Sequence, residues 1–447
     1  MVALKEASTQ LKLKLKVLKM SKSVWIIAII LAIFAVSIAA AGYYYYVIPH
    51  PPHLRILYTH PDSMVTEVVN DFKEWYGRSI EITLTPTDPQ SAYETVTNPY
   101  RKPEAEIWWG GPLSLFEKAS NSLLPYNSTQ KSEINTTVHS CPLMDLNQST
   151  PRWYAASLHA LGVIYNELEI SKPQNWADLL GENVAMVDPT KSEFTQPFIM
   201  LVIQNQNWTK GWEYLVNLSA FVRDYDTNEA NSTLKVASGY IPVAIVPDFY
   251  AYDRMTIGIP HMNFTYLDAT VLQPDPIAII ERGDYLNEAK AFIDYILTSR
   301  AQNIIGRYRL PIRSDAAATP PRVNPFDSKF PSILNYNKTF EEIGEDIVKA
   351  YYQAWITERH EQEPSIKTAW KEIEEANTSS PYYALAWGNF TKAGYCLNRS
   401  YVDTIYNVTN RWTNTTLIGS YLNQWSNASR NAYNYAIENA RKSKSNE

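Results

Sequence analysis

A chain of 447 residues is long enough for two or three ordinary domains and a large buried core. With 45% hydrophobic residues, 19% charged residues and 15 glycines, it is neither disordered nor collagen-like. The formal net charge is -6, and residues 1–23 hold six Lys and one Glu (+5), so the remainder carries -6 - 5 = -11 and repels nucleic-acid phosphates.

At the N-terminus, Lys12, Lys14, Lys16, Lys19 and Lys22 precede an apolar run from Val24 to Ala41 that only Ser37 interrupts. Tyr43 to Tyr46 follow as an interfacial belt would. Eighteen residues at about 1.5 Å each reach roughly 27 Å, most of a hydrocarbon core. Residues 1–23 thus read as a basic cytoplasmic leader and 24–48 as a transmembrane anchor or signal segment, with the body at the cell surface. Ala39-Ala40-Ala41 before Gly42 also suits signal cleavage, and a cut near Lys22-Ser23 would leave the apolar segment attached. Fourteen Asn-x-Ser/Thr triplets, from Asn127 to Asn427, are what N-linked glycans on an exported body require. Cys141 and Cys396 stand either as one long-range disulfide or as two separate thiols, and no Cys/His spacing matches a zinc site.

After Pro51-Pro52 the chain alternates strand and helix. Arg55–Thr59 reads as a strand, and Ser63–Tyr76 as a helix with Met64, Val65, Val68, Val69, Phe72 and Trp75 at helical spacing. Gly77 stops that helix, and strands follow at Ile80–Leu84 and Ile107–Trp109. This order implies a mostly parallel sheet with helices on both faces, whose ligands bind beyond the strands' carboxyl ends. A second α/β unit is expected from an extended stretch Trp153–Tyr165, a short helix at Trp176–Leu180, strands Val184–Val187 and Ile241–Val246, and helices at Phe198–Gln204 and Trp212–Phe221. A strand Pro276–Ile280 returns to the first unit and leads into a helix Leu286–Leu297. From Phe340 the pattern is helical: Phe340–Arg359, Ile366–Asn377 and segments within Tyr401–Ala440.

Several short segments, in order, resemble the extracellular solute-binding proteins of ABC importers, in the branch that takes ferric ion, phosphonates and sugar phosphates. They are Ile56-Leu57-Tyr58-Thr59 with Asp62, Ile107-Trp108-Trp109-Gly110-Gly111, Trp153-Tyr154 with Leu161–Asn166, and Pro173 with Trp176–Leu180. Val187–Thr190, Gln273–Ala278 and Tyr308–Arg313 complete the series, which spans roughly 54–375. The resemblance implies a two-lobed α/β fold of the periplasmic-binding-protein type II kind, here with an N-terminal transmembrane helix and extra C-terminal helices. Its expected parts are a first lobe at 49–155, completed by about 268–312, a second lobe at 156–267, and a helical region at 313–447 packed on the second lobe. The implied partners are a small-molecule solute and the permease and ATPase of an importer, with no cofactor, no metal, no catalysis and no nucleic acid. Ferric-binding members use adjacent tyrosines, whereas Ala251 separates Tyr250 from Tyr252 here, and the lipobox cysteine of many bacterial members is missing.

The residues expected to meet the ligand follow from strand ends. Thr59, His60 and Asp62 form the turn after the first strand. Trp109 is expected to face the cleft, with Gly110 and Gly111 letting backbone approach the solute. Thr190, Lys191, Ser192 and Thr195 offer hydroxyls and a charge at a helix start, an arrangement suited to an anion and equally to an ordinary N-cap. Asp248, Tyr250 and Asp275 complete the set, while Arg309 braces the hinge or pairs with an anion and Arg313 is a second cation for such pairing. The motifs of nucleophile elbows, zincins and P-loops are absent, which agrees with the binding protein that the resemblance implies, and the Lys191 helix start points to a small anionic solute, a ferric ion or sugar being the other ligand classes. A structural or adhesive envelope glycoprotein is the competing role.

Overall fold

The computed structural model describes residues 29–38, 52–318, 322–330, 333, 338–409 and 412–445. The basic leader, much of the expected membrane span, the tyrosine belt and the acceptor Asn337 lie outside these residues. The chain divides into two units, Met1–His53 with Ser79–Glu81, and Leu54–Arg78 with Ile82–Glu447. In the first, residues 29–38 form a helix that exposes Ile30, Phe34 and Val36. Among the described residues no helix is long and apolar enough to cross a membrane.

Among the described residues eleven strands follow: β1 His53–Tyr58, β2 Glu81–Pro86, β3 Ile107–Trp109, β4 Thr137–Val138, β5 Cys141–Pro142, β6 Tyr154–Asn166, β7 Val184–Val187, β8 Val222–Asp226, β9 Val243–Pro247, β10 Met262–Thr265 and β11 Leu272–Ile279. Nine of them run in the order β2-β1-β3-β11-β6-β9-β7-β8, with β10 also on β6, while β4 and β5 pair separately. The β1–β3, β7–β8 and β7–β9 pairs are parallel, as α/β alternation dictates, and β6 and β11 pair antiparallel.

β6 joins two lobes because it is long. Thirteen residues at roughly 3.3 Å each give it a reach of about 43 Å, enough for two sheets. Its first half, Tyr154 to Ala160, pairs with β11; its second half, from Leu161 to Tyr165, pairs with β9. Twelve of its thirteen side chains are buried, as a strand covered on both faces must be.

Local chemistry explains the element ends. The helix Asp62–Tyr76 buries Met64, Val65, Val68, Val69 and Phe72 and stops at Gly77, whose φ of 72° is left-handed. The helix Trp208–Phe221 starts four residues before its expected position because Asn207 caps it, its side chain accepting from the Lys210 N–H. β11 begins before Pro274 and Pro276, where the sequence reading began it only at Pro276. A register shift between Asp275 and Pro276 accommodates the missing N–H groups. Asp248 is a helix start rather than a strand end, since Asp248–Thr256 turns directly off β9. The predicted helix Phe340–Arg359 is an α-helix over Lys338–Tyr352 that widens into a π-helix at Gln353–Thr357.

The first lobe packs Leu57, Val96, Trp108, Phe116 and Ala278 into one cluster. In the second lobe Trp176, Phe198 and Trp212 share a single core with Tyr351, Trp355, Phe390 and Tyr433 of the C-terminal helices. Cys141 and Cys396 are both free thiols, and burial raises the pKa of each.

Candidate functional site

Strand ends from both lobes converge on a cavity of about 170 Å³, enough for on the order of ten water molecules or a small organic solute. Thr59, His60 and Pro61 reach it from the end of β1, and Asp275 from the β11 register shift. Phe194 arrives from the loop after β7, and Phe249, Tyr250 and Asp253 from the helix that follows β9. Arg309 enters from the segment after the helix Ser299–Ile305.

The charged groups are held from behind. Arg309 is 3% exposed; its guanidinium lies 3.9 Å over the Phe249 ring and donates to the Tyr308 carbonyl at 3.1 Å. Asp253 stands 3.8 Å from the same guanidinium, and burial raises the carboxyl's pKa despite that neighbour. The Arg309 Nε and the His60 Nε2 are buried without a protein partner. Burial pushes His60 down to about 4, although Asp275 opposes the shift, so the ring is neutral at physiological pH and offers one N–H and one lone pair. Burial would raise Asp275, but His159, His60 and Arg309 outweigh it and hold this carboxylate below its usual range. Ser157 Oγ donates to Asp275 at 3.0 Å. Two unpartnered nitrogens beside aromatic walls suit an anion or a hydroxyl-bearing solute.

Of the residues singled out in the sequence, Thr59, His60, Tyr250, Asp275 and Arg309 line this cavity together. The others are engaged elsewhere. Asp62 accepts from the Tyr58 hydroxyl at 2.7 Å. Trp109 is fully buried against His60 and Phe292, and Trp108 stacks on Phe116, so neither indole faces the cleft. The expectation for Trp109 failed because β3 lies between β1 and β11 in a sheet covered on both faces, so side-chain alternation leads from one core to another. Gly110, at φ 92°, makes room for the Thr59 and His60 side chains, and Gly111 lies against Pro89.

The loop after β7 also departs from expectation. Ser192 Oγ and Thr195 Oγ1 both donate to Glu229, and Thr190 bonds Asp188. Lys191 is 77% exposed, 3.8 Å from Asp188, and the helix begins only at Pro197, so no hydroxyl-lined helix terminus forms here. Glu229 is 4% exposed, and Glu229→Ala would leave two buried hydroxyls without their acceptor. Urea unfolding should show a loss of about 1–3 kcal/mol, and an unchanged midpoint would refute this role. Asp248 sits behind the cavity wall, accepting from the Ala160 N–H at 3.2 Å and the Tyr266 hydroxyl at 2.7 Å, with its pKa raised by burial. Arg313 is taken by Asp315 through two bonds of 2.7 and 2.8 Å.

Tyr250 and Tyr252 diverge: the first lines the cavity, while the second packs under Arg322, whose guanidinium lies 4.4 Å over its ring. Among the described residues no three His, Cys, Asp or Glu side chains are grouped to hold a metal ion. Sequence reasoning passed over Phe194, Phe249 and Asp253. Their signal was faint, consisting only of the place of Phe194 between Ser192 and Thr195, the adjacency of Phe249 to Asp248, and a helical spacing of three to four residues from Phe249 and Tyr250 to Asp253. A second cavity of about 150 Å³ has Leu113, Cys141, Gln273 and three glutamates, Glu117, Glu193 and Glu345, in its lining, and burial raises Glu193 and Glu345.

Residues 114–337 match the family model described as bacterial extracellular solute-binding protein. The phosphoglycerate transport regulatory protein PgtC of Salmonella typhimurium is 23% identical over 238 residues, 50% of this chain and 58% of that protein. The match therefore spans little more than half the length of that relative. Among solved structures, the periplasmic binding protein AfuA from Actinobacillus pleuropneumoniae, with exogenous fructose-6-phosphate bound, is similar with a TM-score of 0.56 at 19% identity, over 68% of this chain and 98% of that one. The periplasmic binding protein P5PA gives 0.53 at 21% identity (67% and 94% covered), and iron-bound HitA from Pseudomonas aeruginosa gives 0.53 at 17% (63% and 93% covered). At such identities these likenesses establish the fold, α/β and two-lobed. The family is one of binding proteins and not of enzymes, and with its model matched across half of the chain, the chain belongs to the bacterial extracellular solute-binding proteins.

Proposed function

We propose that the chain captures a small anionic solute in the 170 Å³ cavity between its lobes and delivers it to the permease and ATPase of an ABC importer. The observation that carries this reading is the pair of buried, unpartnered nitrogens, Arg309 Nε and His60 Nε2, on residues that line the cavity. An unpaired buried guanidinium nitrogen is costly, and a phosphate or carboxylate oxygen would satisfy it. The fructose-6-phosphate of one fold relative and the phosphoglycerate in the name of PgtC agree with an anion. In this reading the apolar run from Val24 to Ala41 holds the body at the outer face of the cell membrane, and N-linked glycans decorate it. Among the described acceptor asparagines none is buried.

A thermal-shift screen of residues 49–447 against sugar phosphates, phosphonates, inorganic phosphate, neutral sugars, amino acids and ferric citrate tests this. A ligand at about 100 times its Kd adds roughly 2.7 kcal/mol, several degrees in melting temperature. Arg309→Ala should weaken an anion's shift by about tenfold or more in ligand concentration, the scale of one lost charge-assisted bond. A shift by neutral sugars alone, or one that survives Arg309→Ala at unchanged concentration, defeats the anion reading.

A further inference from the structure

His159 lies on the connecting strand β6 and is 3% exposed, and it does not line the cavity. Its two ring nitrogens each face an acceptor. Nδ1 is 3.4 Å from Asp275 Oδ1, within ion-pair reach but without an aligned hydrogen bond, and Nε2 is 3.2 Å from Gln273 Oε1. A neutral imidazole has one N–H, enough for Gln273, whereas only the imidazolium sets a positive charge against Asp275. The same ring meets Phe194 and Phe249 edge-on, at 5.5 and 5.6 Å between centroids, and these two meet each other at 5.5 Å. Phe194 and Phe249 wall the cavity, Asp275 is an acidic group in its lining, and Arg309 lies flat on Phe249. One buried ring thus props the aromatic wall and faces the carboxylate beside it.

We propose that His159 is a positioning residue of the solute site, a buried cation that neutralises Asp275 and braces the Phe194–Phe249 wall, so that Arg309 and His60 meet an anionic solute without Asp275 as a competing charge. This rests on the solute reading above and adds to it how the cavity tolerates an acidic group. The charged or titratable groups around the ring are Asp275 on β11, Asp248 at the start of its helix, Arg309, and His60 after β1. Burial opposes the charge on His159, but the carboxylates of Asp275 and Asp248 more than offset burial and Arg309, so the net shift is upward. A pKa raised in the folded state means that the stabilisation is complete below the ordinary value near 6.5 and is lost as pH rises through the folded value. Anion affinity therefore declines as pH rises through the His159 midpoint, where Asp275 loses its counter-charge.

Two measurements decide this. In the ligand-free protein, imidazole NMR signals assigned with His159→Gln should show a His159 midpoint above the ordinary value near 6.5. Asp275→Asn should lower its midpoint by about one unit or more, a tenfold change in proton affinity. A midpoint at or below the ordinary value, or one indifferent to Asp275→Asn, overturns the proposal whatever the ligand. The second measurement titrates fructose 6-phosphate, whose phosphate has a second pKa near 6 and is essentially dianionic above pH 7. Wild type should lose about tenfold or more in affinity as pH rises through the His159 midpoint that NMR gives, the size of one lost charge compensation. His159→Gln should be weak and flat across that range, and His159→Gln with Asp275→Asn should regain affinity, which a purely structural role for the ring would not produce. A flat wild-type profile, or a double variant no tighter than His159→Gln, overturns the proposal. Absence of fructose 6-phosphate binding at every pH counts against a sugar-phosphate solute instead, and the NMR titration alone then decides the charge on His159.

Discussion

A chain ending at Ile333 is expected to lose the fold of its second lobe together with its C-terminal helices. The helices are not an appendage, because Trp212 of the second lobe packs edge-on against Tyr351 at 4.9 Å and Trp355 packs against Tyr433 at 6.3 Å within the same core. Polar ties run the same way. Thr357 Oγ1 donates to Asp188 at 3.1 Å, His360 Nε2 pairs with the Val222 carbonyl at 2.7 Å, and the Tyr225 and Tyr352 hydroxyls meet at 3.0 Å. Losing one large buried aromatic costs about 3–5 kcal/mol, and a domain's whole stability is about 5–15 kcal/mol. Removing Tyr351, Trp355, Phe390 and Tyr433 together exceeds that margin. Circular dichroism during urea unfolding and limited proteolysis would reveal a missing transition and rapid cleavage within 156–267. A truncated chain with the full-length midpoint and an intact second lobe would show that the shared core is dispensable.

Gly110→Ala should be the most damaging single methyl near the cavity. At φ 92° a side chain is strained by about 1–2 kcal/mol, and the new Cβ would sit 2.5 Å from Thr59 Oγ1 and 2.6 Å from His60 Nε2. With overpacking added, the loss is about 2–4 kcal/mol in urea unfolding. The backbone is pinned, since Gly110 N–H donates to the Pro276 carbonyl at 2.8 Å and Thr59 N–H to the Trp109 carbonyl at 3.1 Å, so the side chains must give way. His60 then leaves its place in the cavity lining, and any ligand-dependent thermal shift shrinks with it. A variant as stable as wild type that also keeps its shift would show that His60 has no fixed place.

The readable parts of the fold are those with a local cause. The helix after β1 follows from apolar spacing and the Gly77 stop, and β6 from an unbroken run of buried-type residues. What was missed has non-local causes. The helix Pro89–Thr97 buries only Ala92 and Val96 and starts from an Asp88 cap that looks like any polar turn. β8, Val222–Asp226, is largely polar and gains its place by pairing with β7. His159 was hidden inside an apolar stretch, where a buried histidine leaves no periodic trace.

By itself the sequence determined the alternation of strands and helices, the strand ends from which Thr59, His60, Tyr250 and Asp275 reach one cavity, and the likeness to a solute-binding family. These depend on periodicity and turn chemistry acting over a few residues. Only the tertiary structure decided the chemical use of each polar group. Glu229 captures the hydroxyls of Ser192 and Thr195, more than thirty positions upstream, and Arg309 joins His60 across most of the chain. A side chain's hydrogen-bond partner depends on what burial places beside it, and no local pattern encodes a neighbour hundreds of residues away.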